Sequence, residues 1–185
     1  MKKFIANYLF LTLVAGAVIL LDQGTKELIR LNLSLGESWS PFEWLVPYAR
    51  IINWKNSGAA FGMLQGFSLV FTVLAIIVSL AILYYFPQVP KQDWPLRLAM
   101  GLQLGGAVGN LIDRLNQGYV TDFISLGTFP VFNVADSSIS VGVAVLVVGM
   151  WIKERKEKQS EHEKQTNASP ERLEADLAQP SNKYE

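Results

Sequence analysis

Gly105–Asp136 reads GGAVGNLIDRLNQGYVTDFISLGTFPVFNVAD. The stretch holds three aspartates, Asp113, Asp122 and Asp136, and lies between two apolar runs. Two of the three share the frame Asn-x-x-Asp, Asn110 with Asp113 and Asn133 with Asp136. Carboxylates beside hydrocarbon are costly and by default mark a functional site. The flanking runs therefore decide the fold, and the aspartates decide where to look for chemistry.

Working outward, four apolar segments have lengths suited to a bilayer: about 4–21, 67–86, 96–112 and 137–152. The first follows Lys2 and Lys3, as a secretory signal peptide would. No small-x-small cleavage site follows it, and three more apolar runs come later, so it reads as a retained transmembrane helix. The third carries Arg97 and Gln103, and repeats glycine every four residues at Gly101, Gly105 and Gly109. Such a stripe lets another helix approach closely. The fourth is slightly short for the bilayer, a mismatch that tilt or local thinning absorbs.

Between the first two runs, 32–66 is irregular and rich in Trp39, Trp44, Tyr48 and Trp54, aromatics that settle at membrane interfaces. Within it, 49–55 is partly β-branched and suits one or two strands. Asp22 and Lys26 follow the first run at i, i+4 spacing, on one face of a helix continuing out of the membrane. On spacing alone they read as a rim ion pair, and the sharper alternative is a pair facing the site that anchors substrate or headgroup. Asp113, beside Arg114 in a polar connection running to Asp136, reads as half of a structural charge cluster.

Charge is segregated. The last 33 residues hold 15 of the 32 acidic and basic residues, and the formal net charge is zero. This predicts a membrane domain over 1–152 and a cytoplasmic, disordered tail over 153–185. Lys2, Lys3, Lys91, Arg97 and the basic residues after Ile152 outnumber those on the other side. Both termini are thereby expected in the cytoplasm, and the three aspartates outside. No basic surface supports nucleic-acid binding. There is no cysteine, and the single histidine, His162, lies in the tail. Thiol nucleophiles, histidine triads and thiolate or histidine-rich metal sites are excluded, and neither a metal nor another cofactor is expected.

What remains is carboxylate chemistry. Two carboxylates held together where water is scarce share one proton, so that one serves as base and the other as acid. Asp122, between Val120 and Phe123, and Asp136, at the start of the fourth helix, both lie against apolar neighbours. Asn110 or Asn133 could orient a carboxylate of its own helical turn. The bland alternative makes Asp136 an N-cap. Other classes fit less well: a four-helix proton-coupled transporter wants a mid-membrane carboxylate. A Ser–Lys protease built on Lys26 lacks an evident serine.

The set DQGTK (Asp22–Lys26), NSGAAF (Asn56–Phe61), GGAVGNLIDR (Gly105–Arg114), VTDFI (Val120–Ile124) and FNVADS (Phe132–Ser137) closely resembles the bacterial lipoprotein signal peptidases, or type II signal peptidases. The similarity spans about 4–152. The resemblance implies an integral membrane, mainly α fold with four transmembrane helices and a small extracytoplasmic β-cradle. It implies a membrane aspartyl endopeptidase that cleaves diacylglyceryl prolipoproteins before the lipidated cysteine. It assigns catalysis to Asp122 and Asp136. Supporting roles fall to Asp22, Lys26, Asn56, Gly58, Asn110, Asp113, Arg114 and Asn133. It also implies a site at the outer leaflet of the bacterial inner membrane, membrane lipid as a partner and inhibition by globomycin-type cyclic peptides. The glycine stripe is then expected to leave a groove for lipid chains. The spacer of 13 residues between Asp122 and Asp136 is short for that family.

Overall fold

The computed structural model describes residues 2–58 and 66–177, with side chains over 8–58 and 66–160. Four helices, α1 (Lys2–Asn32), α2 (Ser68–Tyr85), α3 (Trp94–Gln117) and α4 (Val134–Leu177), accompany three strands, β1 (Ser38–Trp39), β2 (Ala49–Asn56) and β3 (Val120–Leu126). The chain divides into two units, Met1–Leu146 and Val147–Glu185.

In the first unit α3 is the central helix and packs against both α1 and α2. Its glycines explain the closeness. A Cβ at Gly101 would lie 2.8 Å from Val14, and one at Gly105 would lie 2.6 Å from Val18. The stripe is thus filled by α1 and leaves no lipid groove there, which corrects that expectation. Gly106 gives the same room to α4, whose Ala135 carbonyl would meet a Cβ at 2.5 Å. Arg97 is buried, with Nη1 donating to the Val89 carbonyl at 3.0 Å and its guanidinium 4.1 Å from the Phe86 ring centre. That placement lets a charged residue sit in an apolar packing layer.

Among the described residues, three helices are long and apolar enough to cross a membrane: Tyr8–Asn32, Ser68–Gln88 and Val134–Ser160. Their apolar side chains point outward, with Leu13 63%, Leu20 76%, Leu69 74% and Leu80 61% exposed. Contiguous apolar surface of this kind is untenable in water and natural in lipid. The protein is an integral membrane protein. α3 is more polar because protein surrounds it.

Helix boundaries differ from the sequence reading at the ends that matter. α3 continues to Gln117, so Asp113 and Arg114 stand on the helix and not in a connection. It stops at Gly118, where φ of +78° is a left-handed conformation that glycine adopts without strain. The chain reverses there, and β3 begins two residues later. α4 begins at Val134, three residues before the expected start, which puts Asp136 in its first turn.

In the second unit the helix runs on to Leu177, through the stretch read from sequence as a disordered tail. Pairs such as Lys158 Nζ with Glu154 Oε1 at 2.6 Å support helix in a segment without an apolar face.

The sheet is antiparallel in the order β1-β2-β3. β3 is absent from the sequence reading because it is buried on both faces from Val120 to Phe123 and shows no period-two alternation. β2 pairs Ile51 with Ile124 and then Trp54 with Asp122, so Ile52 and Asn53 face Phe123 alone. This bulge frees the Phe123 N–H, which donates to the Phe132 carbonyl at 3.0 Å. The short spacer works through that pairing. The chain turns at Gly127, where φ is +50°, and Phe132 returns to bridge Ile124.

Candidate active site

Asp122 lies in β3 with 1% exposure. Its partner strand supplies Asn56, which sits across from Val120 and so reaches Asp122 diagonally on the same face. Asn56 Nδ2 donates to Asp122 Oδ2 at 2.8 Å, and Asn133 Nδ2 donates to Oδ1 at 2.6 Å. Asn56 Oδ1 in turn accepts the Gly58 N–H at 3.0 Å. Ala59–Phe61 of the same sequence motif lie outside the described residues.

Asp136 is held by the start of α4. Asn133, the residue before the helix, accepts the Asp136 N–H on Oδ1 at 2.9 Å, while Asp136 Oδ2 accepts the Asn133 N–H at 3.3 Å. This is a reciprocal capping box in which the cap is Asn133. The simple N-cap reading of Asp136 is therefore replaced: its carboxylate reaches back and stays available at Oδ1. There Asn110 Nδ2 donates at 2.8 Å from α3. Asn110 thus orients Asp136 and not Asp113 of its own turn, and Asn133 clips the two carboxylates together.

Behind the amides sits a buried charge cluster. Lys26 and Asp22 are both 0% exposed and lie 2.8 Å apart, so they form no rim pair. α3 and the start of α4 cover them: Asp22 Oδ1 accepts the Ala135 N–H at 2.9 Å, and Gly109 leaves the space in which Asp22 sits. Lys26 also reaches Asp113, 0% exposed, at 3.1 Å. Asp113 further faces Arg30 at 3.6 Å and accepts the Thr121 N–H at 2.9 Å. Its cations are Lys26 and Arg30, not the neighbouring Arg114, because i and i+1 point to different faces of a helix.

The sequence reading missed three members of this cluster. Gln23 Nε2 contacts the Gly109 carbonyl, Asp22 and Asp113 at 3.0, 3.1 and 3.2 Å. Arg30 Nη1 donates to Thr121 Oγ1 at 3.2 Å. A signal existed, since Gln23, Lys26 and Arg30 follow i, i+3, i+7 spacing along one face of α1.

One cavity of about 590 Å³ opens onto Asp136, Asn110 and Asn56, with walls from Phe71, Phe129 and Ile139. Arg114 also lines it, its guanidinium 5.5 Å from the Phe71 ring centre. Burial first, and then the Asp136 carboxylate, push the Asp122 carboxyl from its ordinary 3.8 up to about 7. The amides of Asn56 and Asn133 and the charge of Lys26 pull the other way and lose. Among the described residues neither Asp122 nor Asp136 is ion-paired, and no group of three or more acidic or histidine side chains is placed to hold a metal. The arrangement suits two carboxyls sharing one proton beside an apolar cleft.

In this polytopic membrane protein Asp136, Asn110 and Asn56 line an apolar cleft, and Asp122 is buried and held by Asn56. The family model for signal peptidase (SPase) II matches residues 14–152, and the chain belongs to that family. The lipoprotein signal peptidase of Halalkalibacterium halodurans is 42% identical over 154 residues, covering 81% of this chain and 97% of the relative. That of Staphylococcus aureus strain JH9 is 35% identical over 142 residues, covering 75% and 85%. A bacterial membrane enzyme structure solved in meso superposes with a TM-score of 0.71 at 32% identity, over 78% of this chain and 88% of that one. A second superposes with a TM-score of 0.67 at 33% identity, over 76% and 91%. The protein is a protease of this family, and the transporter reading lapses.

Proposed function

We propose that this chain is an aspartic endopeptidase that removes the signal peptide from diacylglyceryl prolipoproteins, cutting before the lipidated cysteine, with Asp122 and Asp136 as its dyad. The observation that carries the reading is the division of carboxylates. Asp22 and Asp113 lie against Lys26, whereas Asp122 and Asp136 are held by neutral amides. Two carboxyls held by neutral amides, with no cation paired to either, can share a proton.

The dyad carries one proton between its two members. Its ionised carboxylate takes a proton from water as the water oxygen bonds to the scissile carbonyl carbon. Its protonated carboxyl gives a proton to the carbonyl oxygen. The tetrahedral diol then collapses: the C–N bond breaks, the nitrogen leaves protonated, and the dyad recovers its single proton. Lys26 is a positioning residue here, acting on Asp136 through Asn110.

The charge bias of the loops supports both termini in the cytoplasm and this site at the outer leaflet of the inner membrane. A diacylglyceryl anchor would hold the scissile bond at that depth. Membrane lipid borders the cleft in this reading, and globomycin-type cyclic peptides would occupy it.

Cleavage of a lipidated peptide by purified protein tests the assignment. Asp122→Asn and Asp136→Asn should each abolish turnover and keep folding and inhibitor binding. Asp113→Asn should lower thermal stability yet leave measurable cleavage in the protein that folds. A well-folded Asp122→Asn enzyme that still cuts, beside a well-folded and dead Asp113→Asn enzyme, overturns the choice of dyad.

A further inference from the structure

A second cavity, about 330 Å³, shares Asn110, Arg114 and Asp136 with the first and runs along α2 and α3. Away from the residues that both cavities share, its walls are Leu74, Ala75, Val78 and Ala107, all apolar, and one amide, Gln103. Gln103, Ala107, Asn110 and Arg114 follow i, i+4, i+7, i+11 spacing and so form one face of α3. Gln103 stands about 10 Å along the helix axis from Asn110. α4 approaches closely beside it: a Cβ at Gly142 would lie 3.1 Å from Gln103 Cγ. The Gln103 amide makes no hydrogen bond with any described residue.

An amide left unpaired beside hydrocarbon is costly unless a ligand completes it. The occupant of this groove must therefore bring hydrogen-bonding groups down to that depth. An acyl chain has none. A peptide has them, and most acutely where a helix ends, because its last four carbonyls have lost their intrahelical partners. A signal segment has to leave the helical state before a protease can reach its scissile bond, and within the membrane those carbonyls find no water.

We propose that Gln103 is a specificity residue that binds the C-terminal end of the substrate's signal helix, its Nε2 donating to a freed carbonyl in the groove. This rests on the peptidase reading above. Signal segments of prolipoproteins are then gripped about two helical turns away from the dyad, independently of the lipid.

The test compares two diacylated peptides, one with a full signal segment and one cut back to the few residues before the cysteine. Gln103→Met keeps the stem that packs on Gly142 and removes the amide. On the full peptide it should raise KM about five- to tenfold at unchanged kcat, the loss of one hydrogen bond. On the short peptide parent and variant should coincide. Gln103→Leu should repeat the pattern. An unchanged KM on the full peptide overturns the proposal, as does an equal loss on both peptides. A lower KM on both would assign the groove to acyl chains instead. Failure of both variants to fold also overturns it, since the amide makes no internal bond to lose. If the parent enzyme cleaves neither peptide, it is the peptidase reading that falls, and this one with it.

Discussion

Lys26→Met is the most demanding perturbation of the buried cluster. The ammonium is 0% exposed and sits 2.8 Å from Asp22 and 3.1 Å from Asp113, both also 0% exposed. Methionine keeps most of the side-chain volume, so the change is in charge. Two carboxylates then remain buried, with Arg30 at 3.6 Å from Asp113 as the nearest remaining cation partner of the cluster. Removing one partner of a buried pair costs about 3–5 kcal/mol. The surviving donors, Ala135 N–H to Asp22 and Thr121 N–H to Asp113, argue for the lower end. Against a total stability of roughly 5–15 kcal/mol, a melting temperature lower by about 10 °C follows for a chain of this size. The assay is thermal unfolding in detergent, with turnover measured well below both transitions. There kcat should fall at unchanged KM, because Asn110 loses the donor that fixes its orientation. Adding Asp22→Asn to Lys26→Met should restore part of the lost stability, since it removes one unpaired charge. A single variant melting within about 2 °C of the parent would refute the reasoning. So would a double variant less stable than the single one.

Two further predictions follow from Asp122 and from the charge bias. The folded-state pKa of Asp122 lies above its ordinary 3.8, at about 7, so the stability gained from its neutral form is full below the unfolded value and lost as pH rises through about 7. The parent should therefore lose melting temperature relative to Asp122→Asn across that window, and kcat should fall on an alkaline limb near pH 7; a flat difference between the two proteins contradicts it. For orientation, cysteines introduced at Ser40 and Thr128 should react with an impermeant thiol reagent added outside, and one at Ser160 should not; labelling at Ser160 alone reverses the topology.

The parts legible in the sequence are those that follow from composition along one segment. Apolar length placed α1, α2 and most of α3, and the Asn-x-x-Asp frames marked the segments that meet in the buried polar cluster. What spacing cannot carry is contact between distant segments. Asp22 and Lys26 read as a rim pair because nothing local says that Gly109, 83 positions beyond Lys26, is shaped to admit them. The two Asn-x-x-Asp frames look alike in sequence and act differently. Asn133 caps its own aspartate, whereas Asn110 looks away from Asp113 to Asp136. β3 escaped because a strand buried on both faces loses the alternation by which strands are read. The glycine stripe was visible, but which helix fills it was not.

The chemistry of the donors behind each amide decides how the proposed dyad is held. A lysine ammonium and a backbone N–H can only donate. Lys26 Nζ contacts Asn110 at 2.9 Å, so the carbonyl oxygen of that amide must face it, and its NH₂ is forced toward Asp136. The Gly58 N–H fixes the oxygen of Asn56 in the same way, and its NH₂ meets Asp122. The Asp136 N–H fixes the oxygen of Asn133, leaving its NH₂ for Asp122 Oδ1. Each of the three amides therefore has one permitted orientation, and each presents a neutral donor to a carboxylate. A cation in any of these places would orient the dyad equally well but would draw both members into the ionised state. By holding Lys26 one amide away, the fold keeps the geometry a charge imposes and leaves its pull on Asp122 weaker than the effect of burial, which is what the proposed sharing of a proton requires.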